Sequence, residues 1–297
     1  LIRPQTNEFG WPRRSAFIQP LVDKVLFDGT KSHDTIKVAF GTEFQSLEQD
    51  DSGVTVSLTG PDGVMREVRA KYLVGCDGGR SPVRKAAGIS FDGQTEATKW
   101  IVVDLEKDPV GVPNTILYCD PVRPFVSIAL PHAVRRLEFM VMPGETEEEL
   151  TSPEGLHGLL GRIVARPENT EVIRSRVYTH HSRIADRFRE RRVLIAGDAA
   201  HLMPVWQGQG YNSGIRDANN LAWKLIEVLS GRSGDRLLDS YTEERREHAR
   251  RLDGQRNSSH QASAGVSAGT TSRMASSRHS SHQFSGVSCS SSHVHLK

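Results

Sequence analysis

The sequence predicts a mixed α/β fold: a layer of parallel strand and helix, interrupted by an inserted, mainly antiparallel sheet. Three observations predict it. The runs YLVGC at 72–76 and RVLIA at 192–196 are short, almost wholly apolar, and stop at the glycine turns DGG and GDAA. Such runs suit strands covered on both faces. Between them, WIVVDLE at 100–106, TILYC at 115–119, FVSIAL at 125–130 and RLEFMVM at 136–142 read as a second sheet. After the second run come a proline- and glycine-rich loop, MPVWQGQG at 203–210, and a long helix from about 212 to 229.

The remaining elements follow in chain order. Residues 1–18 are mostly extended, and a helix follows Pro20 to about Phe27. Leu21, Val22, Val25 and Leu26 fall on one side of it, and Gly29 ends it. Residues 36–74 read as short strands. Gly53 parts EFQSLEQD from VTVSL, GPDG at 60–63 is a turn, and Val54, Val56 and Leu58 alternate toward one buried face. SPVRKAAG at 81–88 is a short helix closed by Gly88. PGETEEEL at 143–150 starts a helix, with Thr146 and Glu149 spaced as a capping box. EVIRSRVYT at 171–179 is a further strand. In the long helix Ala218, Leu221, Ala222, Leu225 and Leu229 form an apolar stripe, and Gly231 ends it. A last helix, about 235–252, has a charged face.

These elements divide into a first domain from residues 1–90 and 180–256, an inserted β-sheet domain at 91–179, and a tail at 257–297. The tail has 14 serines and five histidines in 41 residues and no acidic residue. Almost nothing in it can build a core, so disorder is expected. Its histidines are irregularly placed, which gives no metal-ligand pattern.

Charge narrows the function classes. The chain has 38 basic and 36 acidic residues among 297, a formal net charge of +2. That balance points to neither nucleic acid nor an anionic membrane surface as partner. No apolar run reaches the roughly 18 residues of a spanning helix. Cys76, Cys119 and Cys289 are isolated. They suit a reducing compartment, with cytoplasm the expectation, and no CxxC pair suggests a metal. The chain opens on Leu1, and LIRPQTNEFGW is unlike a signal peptide, so a fragment or a processed product is expected.

Two constellations carry chemistry. Asp198 follows an apolar strand and Gly197, which permits a tight turn. Its carboxylate can accept hydrogen bonds from a polyol, or cap a following helix. Gly208, Gly210 and Asn212 stand just ahead of the long helix, whose first N–H groups face whatever lies at that end. Asp77, Gly78, Ser81 and Arg84 form the second set. Asp77 can cap the short helix, and Arg84 can pair with a carboxylate or a phosphate. His201 is open to two readings, a base or a structural support for the loop.

The segments LVGCDGGRSPVR at 73–84 and RVLIAGDAAHLMPVWQGQGYNSGIRDANNLAWKL at 192–225 resemble the two downstream signatures of the FAD-dependent aromatic-ring hydroxylases, the single-component flavoprotein monooxygenases. Residues 8–20, 118–144 and 204–214 are most similar to the branch that acts on phenylpropionates, and the resemblance covers about 4–252. It implies an incomplete Rossmann-like FAD-binding domain holding an inserted substrate-binding sheet. It implies FAD as cofactor, NADH or NADPH as co-substrate, and O2 and a small phenolic aromatic acid as reactants. The ring would be hydroxylated ortho to an existing hydroxyl by the flavin C4a-hydroperoxide, so no nucleophile triad is needed.

Residue by residue, the resemblance places FAD near Arg14, Gln19, Asp77, Gly78, Arg84, Gly197, Asp198, Ala199, Ala200, His201, Pro204, Gly208, Gln209, Gly210, Tyr211 and Asn212. Gly210, Asn212 and Pro204 would border the reaction itself, with the helix end stabilising negative charge on the flavin. Trp206 is equally a wall residue or ordinary packing. The sheet strands would floor the substrate site, and Arg123, Arg135 and Arg136 are candidate partners for its carboxylate, or surface arginines. A homo-oligomer is compatible with the resemblance.

The departures are a GxGxxG phosphate loop, which occurs nowhere in the chain, and the family's C-terminal region, whose place the serine-rich tail takes. They leave as alternatives a non-catalytic truncated fragment of such an enzyme and a monooxygenase of a different phenol. An exposed sheet edge, uncovered apolar surface and a chain that is unstable or FAD-free are expected.

Overall fold

The computed structural model describes residues 15–203 and 209–251, and the side chains of all of these but 96 and 97. The opening stretch, the loop residues Pro204 and Gly208, and the serine-rich tail lie outside the described residues. The fold is mixed α/β with an antiparallel sheet inserted in the chain. It divides into two compact units. One takes residues 39–94 and 181–251, the other 15–38 and 95–180.

The first unit opens with an antiparallel sheet of β1 (Glu43–Gln49), β2 (Val54–Thr59) and β3 (Met65–Ala70), in that order. Its turns are built by aspartates. Asp50 accepts from the backbone N–H groups of Ser52 and Gly53 at 2.7 and 3.0 Å, and Asp62 accepts from that of Val64 at 3.1 Å. These are local bonds an Asp offers the backbone in place of a ladder. Val54 and Val56 are buried, as their alternation predicts.

A second, three-stranded sheet follows the order β10 (Arg189–Glu190), β11 (Val193–Ile195), β4 (Leu73–Gly75). β11 runs parallel to β4 and antiparallel to β10. All three residues of β11 are 0% exposed, the double burial its apolar run predicts. β4 departs from that expectation. Among the described residues it is the end strand, and its Val74 is exposed. An identical apolar signal thus lies at the centre and at the edge of one sheet, because periodicity reports composition and not neighbours.

The helices of this unit are α2 (Pro82–Ala86), α5 (Gln209–Leu229) and α6 (residues 239–251). α5 begins at Gln209, earlier than expected, so Gly210 and Asn212 fall inside its first turn. Its buried positions are Gln209, Ser213, Asp217, Leu221 and Lys224. Of the expected apolar stripe only Leu221 is buried; Leu225 is half-buried, and Ala218, Ala222 and Leu229 are exposed. The inward face is polar because its groups are paired. Lys224 donates to the Ser240 hydroxyl at 2.7 Å and lies 3.0 Å from a Glu244 oxygen. Val83, Phe188, Leu194, Leu238 and Tyr241 contribute to the apolar core around them.

The second unit holds α1 (Gln19–Thr30), β5 (Phe91–Leu105), β6 (Ile116–Tyr118), β7 (Phe125–Leu130), β8 (Val134–Met140), α3 (Glu147–Thr151), α4 (Pro153–Leu160) and β9 (Val172–Ala185). β5 and β9 are longer than the sequence suggested and run on into the first unit, where β9 pairs with β12 (His201–Leu202). α1 passes through Gly29 without stopping and buries none of its residues, so Leu21, Val25 and Leu26 are exposed. The sheet order is β9-β5-β8-β7-β6. β8 alternates strictly in burial. One face, with Ile101, Val103, Leu137 and Phe139, packs on Leu150 of α3 and Leu159 and Leu160 of α4. The start of α3 carries the expected capping box, Thr146 with Glu149.

Candidate functional site

The parallel pairing of β4 with β11 sets the two sequence signatures side by side. Gly75 is opposite Ile195, and the Ala196 N–H donates to the Gly75 carbonyl at 3.0 Å. Both strands therefore end together, and the loops Asp77–Gly79 and Gly197–Ala199 leave from the same end of the sheet. In open α/β sheets the carboxyl ends of strands are where ligands bind.

Backbone demands explain the glycines. Gly197 has φ +59° and Gly78 φ +79°, the left-handed region that side chains disfavour. Gly79 lies against Leu202: a Cβ there would stand 2.7 Å from a Leu202 methyl, which would have to move aside. A Cβ on Gly214 would lie 3.6 Å from the Gly197 Cα, so α5 and the turn come into close contact.

Arg84 links the two loops from within. It is 4% exposed, and its guanidinium donates to the Ala199 and Gly79 carbonyls, each at 2.9 Å. It also stacks over the Phe91 ring at 3.8 Å. Two of its donors are thus committed to backbone. Asp77 is committed to α2: it accepts from the Ser81 hydroxyl and from the Val83 N–H at 3.0 Å. Ser81 in turn caps the Arg84 N–H at 2.9 Å.

Behind the Gly197 turn sits a carboxylate that sequence reasoning missed, Asp217. It is fully buried. One oxygen accepts from the Gly197 N–H at 3.0 Å and lies 2.6 Å from His201 Nε2; the other accepts from Arg245 Nε at 2.7 Å. Arg245 reaches on to the Ser213 hydroxyl at 3.1 Å. Burial works against the charge of Asp217, but the His201, Arg245 and Gly197 bonds outweigh it and hold its pKa below the ordinary aspartate value. His201 is 1% exposed and packs against Phe188. Ala199 and Ala200 are fully buried beside it. The available signal was the four-residue spacing of Ser213 and Asp217, which puts both on one helix face.

Asp198 is the opposite case. It is exposed and has no hydrogen-bond partner among the described residues. Partial withdrawal of its carboxyl from water raises its pKa, against the pull of His201. Close by is the first turn of α5. Gln209 is buried, Gly210 and Asn212 are half-buried, and Tyr211 is exposed. A Cβ on Gly210 would meet nothing within 4 Å, so the helix start is open there. The structure thus brings together Asp77, Gly78, Arg84, Gly197, Asp198, Ala199, Ala200, His201 and the α5 start in one unit. Gln19 is not among them; it is exposed at the start of α1 in the other unit. Arg14, Pro204, Trp206 and Gly208 lie outside the described residues.

The three candidate arginines of the inserted sheet already have carboxylate partners. Arg123 pairs with Glu145, Arg135 with Asp108 at 2.7 Å, and Arg136 with Asp104 at 2.8 Å. Among the described residues no group of three or more His, Cys, Asp or Glu is placed to hold a metal, and no helix is long and apolar enough to cross a membrane.

Known proteins resemble this chain throughout the described region. The FAD binding domain family matches residues 2–255. The 3-(3-hydroxy-phenyl)propionate/3-hydroxycinnamic acid hydroxylase of Comamonas testosteroni is 56% identical over 251 residues, covering 84% of this chain and 43% of that protein. The protein of the same name from Paraburkholderia xenovorans is also 56% identical, with 40% of its length covered. The chain therefore spans less than half the length of these relatives. Among solved structures, p-nitrophenol 4-monooxygenase from Pseudomonas putida superposes with a TM-score of 0.74 at 28% identity, covering 80% of this chain and 61% of that one. Aklavinone-11 hydroxylase, solved with FAD and aklavinone, gives a TM-score of 0.73 at 33% identity over 80% of this chain and 46% of that one.

Proposed function

The chain belongs to the FAD-binding aromatic hydroxylase family, and from that premise we propose that it serves an FAD-dependent monooxygenase hydroxylating a phenolic aromatic acid such as 3-(3-hydroxyphenyl)propionate. NADH or NADPH is the reductant and O2 the oxidant. One observation carries the reading: the Asp198 carboxylate, without a hydrogen-bond partner among the described residues, follows the Gly197 turn that α5 packs against, and the first turn of α5 is open at Gly210.

These groups fit the cofactor chemically. A free carboxylate is an acceptor only, and suits the row of hydroxyls on the flavin's ribityl chain. The first N–H groups of a helix of 21 residues are donors with a positive local potential. They suit the electron-rich pyrimidine end of the flavin, and their effect grows as that end gains negative charge. The bareness of Gly210 admits a flat ring. When bound, the flavin supplies the redox chemistry, taking electrons from the nicotinamide and delivering oxygen to the ring.

The chain's own residues bind and orient. Asp198 fixes the polyol. Gly78 and Gly197 let backbone approach. Arg84 holds the Ala199 carbonyl and so the shape of the turn. His201 is a support in this reading, because its Nε2 is engaged with buried Asp217.

The test is turnover. The chain, kept in a large excess of FAD because it is expected to retain less than one flavin per chain, and given NADH or NADPH and 3-(3-hydroxyphenyl)propionate, is expected to consume nicotinamide and oxygen and form the ring-hydroxylated diol. Nicotinamide oxidation that yields only hydrogen peroxide, with every phenolic acid tried, would remove the hydroxylase reading.

A further inference from the structure

Asp217 stands about two turns into α5, yet its carboxylate bonds to three other elements. One oxygen, Oδ2, meets both the Gly197 N–H at 3.0 Å and His201 Nε2 at 2.6 Å. Gly197 forms the turn that follows β11, and His201 opens β12. The other oxygen, Oδ1, accepts from Arg245 Nε of α6 at 2.7 Å. Arg245 Nη2 reaches back to the Ser213 carbonyl at 3.3 Å and hydroxyl at 3.1 Å, in the opening turns of α5. Asp217, His201, Ser213 and Arg245 are all buried.

An ionised carboxylate can only accept, so His201 donates to it from Nε2. The other ring nitrogen, Nδ1, is buried and has no hydrogen-bond partner among the described residues. The Asp217 bond is thus what orients the imidazole, with the Phe188 ring packed 5.8 Å away. The Gly197 turn has a similar need. A glycine at φ +59° has no side chain to anchor it, and its N–H is the anchor. Asp198 is the next residue, so a turn held at Gly197 carries Asp198 with it. α5 comes close at the same place, where a Cβ on Gly214 would lie 3.6 Å from the Gly197 Cα. One carboxylate therefore sets Asp198 and the start of α5 relative to each other.

We propose that Asp217 is a positioning residue for the flavin, acting through the Gly197 N–H and His201, and that Arg245 of α6 holds it in place. The assignment rests on the proposed function and adds α6 to the elements that shape the site. Asp217 is fully buried and acts only through its partners. The role needs an acceptor at one oxygen and does not need the charge. An amide oxygen in the same place accepts from the same two donors. The charge of Asp217 is matched by that of Arg245, so the two can be removed together without leaving either buried alone. Positioning and fold stability are then separable.

The test uses the full chain and riboflavin, which has the flavin ring and ribityl chain but not the ADP half that a GxGxxG loop would hold. Fluorescence quenching gives the affinity, and visible circular dichroism of the bound ring reports its orientation. Two paired variants replace the buried ion pair. Asp217→Leu with Arg245→Met has no acceptor; Asp217→Asn with Arg245→Met keeps one. The leucine pair is expected to bind riboflavin about tenfold more weakly and to lose the dichroic band at saturation. The asparagine pair should stay within about threefold of the parent and keep the band. Thermal melting sets the temperature at which each chain is folded. If the leucine pair does not fold, His201→Phe carries the test: it keeps a ring beside Phe188, loses Nε2, and should weaken riboflavin about fivefold. Parent-like affinity in the leucine pair or in His201→Phe overturns this assignment and leaves the cofactor reading standing, as does an asparagine pair as weak as the leucine pair. A parent chain that does not bind riboflavin overturns both.

Discussion

Asp198 and Asp217 both sit against the Gly197 turn, yet their surroundings push their acidities apart. Asp217 is buried with three donors and its pKa is lowered; Asp198 has no hydrogen-bond partner among the described residues and its pKa is raised. The lowered Asp217 value means that its ionised form favours the folded chain. That stability is complete above the unfolded aspartate value, about 3.9, and is lost as pH falls through the lower folded value. Asp217→Asn should therefore flatten the acid limb of the stability profile. It should also cost about 3 kcal/mol at neutral pH, because Arg245 stays buried with its partner's charge gone. Urea unfolding across pH measures both, and a parent-like acid limb in the variant would refute the linkage. Asp198→Asn should leave urea stability within about 0.5 kcal/mol, as expected for an exposed group with no partner among the described residues. It should raise the FAD dissociation constant about tenfold or more if Asp198 holds the ribityl hydroxyls. Flavin fluorescence titration decides, and unchanged affinity would remove Asp198 from the site. Asp198 was legible in the sequence because it follows a recognisable strand and glycine. Asp217 was not, because its partner Arg245 is 28 residues away and only folding joins them.

Among the elements, β5 and β9 depend on close approach. A Cβ on Gly93 would stand 2.0 Å from the Ser182 carbonyl oxygen, and Gly93 has φ +142°. Gly93→Ala must move backbone, so a loss of about 2 kcal/mol or more is expected in thermal or urea unfolding. A variant as stable as the parent would show that the strands can separate there freely. The capping box of α3 makes a milder case. Thr146→Ala removes the acceptor of the Glu149 N–H, for about 1 kcal/mol, read by the same unfolding curves. Local signals of this kind were legible: the box, the turn aspartates and the alternation of β8 all lie within a few residues. The inward face of α5 was not. Its burial of Ser213, Asp217 and Lys224 is set by Arg245, Ser240 and Glu244 on later elements.

For the whole molecule, exposed apolar surface is the feature with consequences. Ile215, Trp223, Ile226 and Leu229 of α5 are 46–58% exposed, and the end strand β4 leaves Val74 at 36%. Surface of this kind drives association. The chain should bind a hydrophobic dye and grow in apparent mass with concentration in sedimentation. Ile226→Lys should reduce both; dye binding that the substitution leaves untouched would place the sticky surface elsewhere. No GxGxxG loop occurs among the 297 residues. The expected outcome for the chain alone is thus a flavin content well below one per chain after gel filtration in FAD, read from visible absorbance. Stoichiometric yellow protein would show that the Asp198 and α5 groups suffice.

The amino-acid sequence by itself determined the succession of elements, the glycine turns and the family, because each is written in residues close together along the chain. Two glycine motifs and one Asp after an apolar strand were enough to point at the flavin. Tertiary structure alone decided which strand is central, which face of α5 is buried, and which side chains remain unspent. Arg84 and Asp77 proved committed within the fold, while Asp198 has no partner among the described residues. The reason is physical: a side chain's chemistry comes from its type, but its availability depends on partners that only the folded chain supplies.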